Sequence, residues 1–344
     1  MKDVNIILLV IDSLRHDYAM DDPFFKGLSG GGLSFERMYS PSTFTNSNMS
    51  SVRTGMYPPR HGWRAWCSVT TPADWKTPSI KENIKTLEDF LREAGYRVAN
   101  EITMPMKIRE TQGFIYDENV FRDMTAQEPF FLYSQYMGIH RGVLERRDFR
   151  VDNYRGFIGD AGSFVGKAFG LAEKYGFDDR TLWVVMGDHG MRLDGDVRAV
   201  ETRCNGAGQI YDYRNRIYCT LMGPGIEPRV ISSACSQVDL LPTILDYCDI
   251  PQTIPEGFLE IQGVSAFKEP DPDRYVYLEA QSPFSRWPSH VPNVFGATDG
   301  KMKLVLTPEG FKCYDLVNDP GERDDKLSFV ELGPMLDFIR EIKR

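Results

Sequence analysis

Three apolar runs in this chain each deliver a metal-capable side chain just past their end. Residues 4–11, VNIILLVI, run into Asp12. Residues 129–136, PFFLYSQY, are followed by His140, and residues 181–186, TLWVVM, run into Gly187-Asp188-His189-Gly190. A polar cap at the end of one strand is ordinary. Three on one sheet edge point to a site, because open parallel sheets bind ligands beyond the carboxyl ends of their strands. A fourth stretch, YSPSTFTNSNMSSVRTGMYPPRHG (39–62), reads as a loop opening a short helix with Thr45 at its mouth. Ser, Thr and Asn are dense there, as at helix N-caps, and Gly55 and Pro58 stop the helix. A helix N-terminus offers free N–H groups and a partial positive charge, which favour a bound anion or an oxygen that becomes negative during reaction.

The elements that must position these residues follow from hydrophobic pattern. Continuous β-branched runs such as 4–11 are central parallel strands covered on both faces. Spacing predicts helices over 80–94, IKENIKTLEDFLREA, and over 154–175, with Gly95 a good C-cap for the former. QVDLLPTILDY (237–247) reads as a helix with Pro242 in an early turn, and RIYCTLM (216–222) as a strand. Residues 191–209 have no period and read as a mobile loop beside the site. Residues 249–273 read as a surface linker. RYVYLEA and KMKLVL beyond it alternate, as strands of a small antiparallel sheet do. The division expected is a catalytic α/β unit over 1–250, then a linker and a small C-terminal α+β unit over 251–344. Trp63, Trp66 and Trp75 line a pocket or, as large aromatics more often do, cover the sheet edge.

With 344 residues there is ample core for this arrangement. A net charge of −9 speaks against a nucleic-acid surface. It does not speak against an anionic substrate, since a metal can supply positive charge locally. None of the six cysteines lies in a C-x-x-C spacing, and Cys219 and Cys248 sit in apolar runs as reduced core residues. The opening MKDVNIILLVID reads as a buried strand rather than a leader, and no apolar run approaches the roughly 20 residues of a membrane span. A cytoplasmic protein is the simplest expectation, and an isologous dimer merely the commonest assembly.

The chain resembles the sulfatase branch of the alkaline phosphatase superfamily. The likeness rests on NIILLVIDSLR, SSVRTGMYPPRHG, TLEDFLREAGYRVA, TLWVVMGDHG, RNRIYCTLMGPGI, QVDLLPTILDYCDIP and CYDLVNDPGERDD, in that order. It implies a three-layer αβα sandwich with a large, mostly parallel sheet and a small C-terminal antiparallel sheet. It implies metal-dependent attack on a sulfate or phosphate ester, with the residue at position 45 as nucleophile and metal contact. It places the metal carboxylates on Asp12 and Asp188, with His189 beside them. Such a set, with the Thr45 oxygen, suits one Mn²⁺, Mg²⁺, Zn²⁺ or Ca²⁺ ion. That ion would lower the pKa of the threonine hydroxyl and polarise the ester. His140 matches a substrate-side histidine and is the candidate general acid. Arg15, Arg53 and Arg141 are candidates for stabilising the transferring group, and Asn46, beside the nucleophile, for touching the substrate.

The departures bear on the reaction. The resembled sulfatases carry Cys or Ser at the nucleophile, within a Cys-x-Pro-x-Arg motif, and convert it to formylglycine. Here the run is Thr45-Asn46-Ser47-Asn48-Met49, so no formylglycine is expected. Threonine is the nucleophile of the phosphodiesterase and lipoteichoic-acid-synthase-like relatives, which shifts the expectation towards phosphate esters, probably diesters. Ser13 stands where a second aspartate is usual. The family's lysine and histidine are missing from NEITMPM and from NGAGQIYD. One metal rather than two is therefore expected, on a small-molecule or glycan-linked anionic ester. Two alternatives remain: a sulfatase with an unusual nucleophile, and a family member that binds an anion without turnover.

Overall fold

The computed structural model describes residues 3–64, 80–102, 115–144, 146–196, 209–269, 271–280, 294–327 and 332–344. The expected apolar runs form the centre of the main sheet. Its strands are β1 (Asn5–Ile11), β2 (Leu33–Phe35), β4 (Arg97–Val98), β5 (Phe130–Tyr136), β6 (Thr181–Gly187), β8 (Cys219–Met222) and β9 (Arg229–Ile231), in the order β4-β5-β1-β6-β8-β2-β9. The pairs β4–β5, β5–β1, β1–β6 and β2–β9 are parallel, while β8 runs antiparallel to both β6 and β2. The short strands β3 (Met38–Tyr39), β7 (Arg216–Ile217) and β10 (Cys235–Ser236) make a small second sheet. The single strand read over 216–222 is thus two, β7 and β8, in different sheets.

Both faces of β1 are covered, which explains its unbroken apolar run. Ile6, Leu8 and Val10 pack with Met49 and Val52 of helix Thr45–Thr54, with Leu87, Phe90 and Leu91, and with the helix Leu240–Tyr247. Ile7, Leu9 and Ile11 pack on the other side with Phe25 and the long helix Val151–Tyr175. This is the three-layer αβα sandwich. The antiparallel C-terminal sheet is β11 (Val276–Ala280), β12 (Val294–Thr298), β13 (Met302–Thr307) and β14 (Gly310–Asp315). It meets the main body where Ser42 bridges Glu279 and where the Tyr57 and Tyr277 rings cross edge-on.

Two boundaries differ from the sequence pattern for a local reason. The helix expected over 80–94 spans only Leu87–Glu93. Thr86 caps it in a reciprocal box, accepting from the Asp89 amide while Asp89 accepts from its own amide. That cap outweighs the apolar spacing upstream. At helix Thr45–Thr54, the N-cap is Phe44, which makes no side-chain cap bond, and Thr45 is the first helical residue. The far end is as expected: Gly55 sits in the left-handed region at φ 64°. A Cβ there would lie 2.8 Å from Cγ2 of Ile261. Gly55→Ala should therefore cost about 1–2 kcal/mol, read as a lower melting temperature.

Trp66, Trp75 and residues 282–293 lie outside the described residues, as does most of the loop read over 191–209. Trp63 is buried, and its carbonyl accepts from Ser47 Oγ. Cys219 and Cys248 are buried and form no disulfide among the described residues. No helix among the described residues is long and apolar enough to cross a membrane.

Candidate active site

Strand register brings the site together. Ile11, the last residue of β1, pairs with Tyr136 of β5 and with Gly187 of β6, so the three strands end level. Asp12 and the Asp188-His189 pair leave the sheet side by side. His140 arrives less directly, from the helix Gly138–Leu144. Helix Thr45–Thr54 points its N-terminus at the same place. Thr45 Oγ1 donates to Asp188 Oδ2 at 2.7 Å and lies 3.4 Å from both Asp12 Oδ2 and His189 Nε2. Ligand atoms of Asp12, Asp188 and His189 all lie within 4.8 Å of one another, and all three residues are buried.

The surrounding hydrogen bonds fix each ligand's direction. Asp188 Oδ1 accepts from the amides of Ser13 and His189, at 2.8 and 2.7 Å, which leaves Oδ2 for Thr45. Ser13 reaches that position by taking a left-handed φ of 69°. Its hydroxyl donates to Asp12 Oδ1 at 2.7 Å. His189 Nδ1 is 2.9 Å from the Gly190 carbonyl, a bond that places the ring proton on Nδ1 and turns the Nε2 lone pair inward. Asn48 and Gln237 each donate to the Asp188 carbonyl at 2.9 Å. Gln135, near the end of β5, reaches Asp12 Oδ2 at 3.4 Å.

The electrostatics suit a cation. Burial, then the neighbouring Asp12 charge, push the Asp188 carboxyl up to about 8. Burial also opposes ionisation of Asp12, but the His140 and His189 rings and the Ser13 hydroxyl together hold it well below its usual range. Burial and Arg214 push His189 down to about 3, so the ring is a neutral donor. His140, with Nδ1 3.0 Å from Asp12 Oδ1, is raised by that carboxylate. Two buried carboxylates facing each other cannot both ionise comfortably without a counter-charge. The donor set of two carboxylates, one imidazole and a hydroxyl fits a hard or borderline divalent cation.

The other sequence candidates fall elsewhere. The Arg15 guanidinium is buried between Asp17 and Asp196, at 2.6 and 2.7 Å. Arg53 is on the last turn of helix Thr45–Thr54 and pairs with Glu88 at 2.9 Å. Both are structural contacts, so neither arginine is brought to the centre. Asn46 is buried next to Thr45, and both its amide atoms lack a hydrogen-bond partner among the described residues. His61 is fully buried, against Ser51 Oγ at 3.1 Å and the Trp63 amide at 3.1 Å. Sequence reading missed Arg214, a buried guanidinium close enough to Asp12 and Asp188 to feel both charges. It also missed the braces Asn48, Gln135 and Gln237.

Comparison with known proteins agrees with this architecture. The sulfatase family's model matches residues 4–250, and the chain belongs to that family. Arylsulfatase K of Bos taurus is 23% identical over 228 residues, covering 62% of this chain and 40% of that protein. The chain thus spans less than half the length of that relative. A solved putative sulfatase from Bacteroides thetaiotaomicron VPI-5482 superposes with a TM-score of 0.73 at 17% identity, over 99% of this chain and 91% of that one. A structure solved in complex with its substrate, D-glucosamine-2-N,6-O-disulfate, superposes with a TM-score of 0.68 at 14% identity, over 99% and 97%. At these identities the structural likeness establishes the fold.

Proposed function

We propose that this protein is a metal-dependent hydrolase of sulfate esters, with Thr45 as the attacking group and a sugar-borne sulfate as the substrate class. The observation that carries the reading is the Thr45 hydroxyl, hydrogen-bonded to Asp188 at 2.7 Å where three metal-capable side chains converge. Family membership and the sulfated sugar bound by one structural relative support sulfate. A second reading, phosphate diesters, is favoured by Thr45 itself, an ordinary hydroxyl that needs no prior oxidation.

A divalent cation held by Asp12, Asp188, His189 and the Thr45 oxygen would supply Lewis acidity to the hydroxyl and to the ester oxygens. The chain's own groups do the rest. Thr45 Oγ attacks the sulfur in line, its proton leaving along the existing bond to Asp188 Oδ2. The sulfur–alkoxide bond breaks, and His140 protonates the departing oxygen. Water then attacks the sulfur of the threonine sulfate, the sulfur–Oγ bond breaks, and sulfate leaves. The neutral His140 takes its proton, and Asp188 returns the first proton to Thr45. Free N–H groups at the helix N-terminus face the charge that develops on the transferring oxygens.

The test is a panel of p-nitrophenyl sulfate, bis(p-nitrophenyl) phosphate and p-nitrophenyl phosphate. The protein is stripped of metal, then resupplied with Mg²⁺, Mn²⁺, Ca²⁺ or Zn²⁺ in turn. Metal-dependent release from the sulfate is expected. Release from the diester alone would establish the second reading. Silence on all three with a cation bound would overturn both and leave an anion-binding protein.

A further inference from the structure

Arg214 is a buried charge with no carboxylate partner among the described residues. Its relative exposure is 4%. Nη2 donates to the Thr43 carbonyl at 2.8 Å, while Nε is buried and donates to nothing among the described residues. The other buried lysine and arginine side chains among the described residues have carboxylates: Arg15 has Asp17 and Asp196, Lys85 has Glu93, and Lys303 has Asp212 and Glu322. Arg214 forms no ion pair among the described residues, although burying an unpaired guanidinium is costly.

Its placement is fixed, not incidental. The Arg214 amide donates to Tyr211 O at 2.8 Å, and its carbonyl accepts from the Gly190 amide at 2.6 Å, one residue past His189. Its Nη2 bond holds the Thr43 carbonyl, two residues before Thr45. It therefore links the strand end that carries Asp188 and His189 to the loop that carries the nucleophile. Next to Thr45, Asn46 is 5% exposed, and its amide donor and acceptor have no hydrogen-bond partner among the described residues. Two deeply buried polar side chains from separate parts of the chain thus flank the Thr43–Thr45 segment, each with donor capacity unused among the described residues.

We propose that Arg214 and Asn46 are the clamp for the non-bridging oxygens of the transferring group, with Arg214 supplying the positive charge and Asn46 a neutral donor. The inference rests on the reading that a tetrahedral anion occupies this centre. It explains how a chain without the lysines and histidines expected at such a site can still hold that anion. A guanidinium fits the task because its donors form a planar fork matching two oxygens of one anion.

The test uses inorganic sulfate as the probe. Sulfate binding is titrated calorimetrically on the metal-loaded protein, for the wild type, Arg214→Lys, Arg214→Met and Asn46→Ala. Arg214→Met is expected to weaken sulfate at least tenfold and Arg214→Lys less, with added guanidinium ion restoring binding to Arg214→Met. Asn46→Ala is expected to weaken it severalfold. Rescue shows that the guanidinium group itself, and not the packing of the side-chain stem, carries the effect. Wild-type protein that does not bind sulfate, or a folded Arg214→Met that binds it undiminished, would overturn the clamp. If Arg214→Met does not fold, Arg214→Lys decides: unchanged sulfate affinity there overturns it, and weakened affinity supports it. Binding needs no turnover. Arg214-dependent sulfate binding with no hydrolysis of any ester would sink the proposed activity and leave the clamp standing.

Discussion

Thr45→Ala should reduce kcat/KM by about a thousandfold or more, with the melting temperature nearly unchanged, as expected when an attacking group is removed. The variant loses one hydrogen bond to Asp188 Oδ2 and a methyl group at the helix start. A net hydrogen bond contributes only about 1 kcal/mol to stability, and Asp188 keeps its two backbone donors. Thr45→Ser restores the hydroxyl and should retain measurable turnover, within about tenfold to a hundredfold of wild type, since the extra side-chain freedom degrades the in-line geometry. Asp188→Asn should be as inactive as Thr45→Ala but for a different cause. It removes a metal carboxylate and the acceptor for the threonine proton together. Direct metal titration separates the two variants: Thr45→Ala binds the cation and Asp188→Asn binds it far more weakly. A Thr45→Ala protein retaining a tenth of wild-type turnover would mean that another group, such as water, attacks the ester.

What could be read from the sequence was what depends on local chemistry and burial. β1, β5 and β6 are apolar on both faces because helices cover both, and that shows as unbroken runs. Asp12 and Asp188-His189 follow those runs directly, so they could be placed at the sheet's edge without a structure. Arg15 shows where adjacency misleads. It is three residues from Asp12, but Ser13 takes a left-handed turn and Arg15 ends between Asp17 and Asp196. Arg53 shares a helix with Thr45, yet eight residues at 1.5 Å rise put it about 12 Å further along. Arg214 could not be read at all. It lies in the polar run DYRNR, and its helical turn, Asp212–Asn215, is anchored from the C-terminal sheet. Lys303 of β13 binds Asp212, Glu322 and the Ile210 carbonyl there. Contacts ninety or more residues away in sequence leave no periodicity to find.

Cation binding to the metal-free protein should release about one proton at mildly acidic pH and almost none above about pH 9.5. The three ligands enter with different protonation. Asp12 is already ionised, held below its usual range against the cost of burial by the neighbouring rings and Ser13. His189, at about 3, is already neutral. Only Asp188, raised to about 8 by burial and by Asp12, still carries a proton that the incoming cation must displace. Affinity should therefore rise about tenfold per pH unit from about pH 5 to about pH 8, then level off. The metal-free protein's stability carries the matching signature. Asp188 titrates at 3.8 when unfolded and at about 8 when folded, so across that interval the folded state holds the extra proton. Its contribution is full below about pH 4 and is lost as pH rises through about 8. Asp12 has the opposite sign: its stabilisation is present above its ordinary 3.8 and is lost on acidification. A saturating cation keeps Asp188 ionised in the folded state and should erase the alkaline loss. Calorimetric titration in two buffers of different ionisation enthalpy, at about pH 6.5 and 9.5, measures the proton directly. Asp188→Asn supplies the control with no proton to release. Proton-free binding by the wild type at the lower pH would show that Asp188 is already ionised in the metal-free fold, and that some group other than the cation balances the two carboxylates.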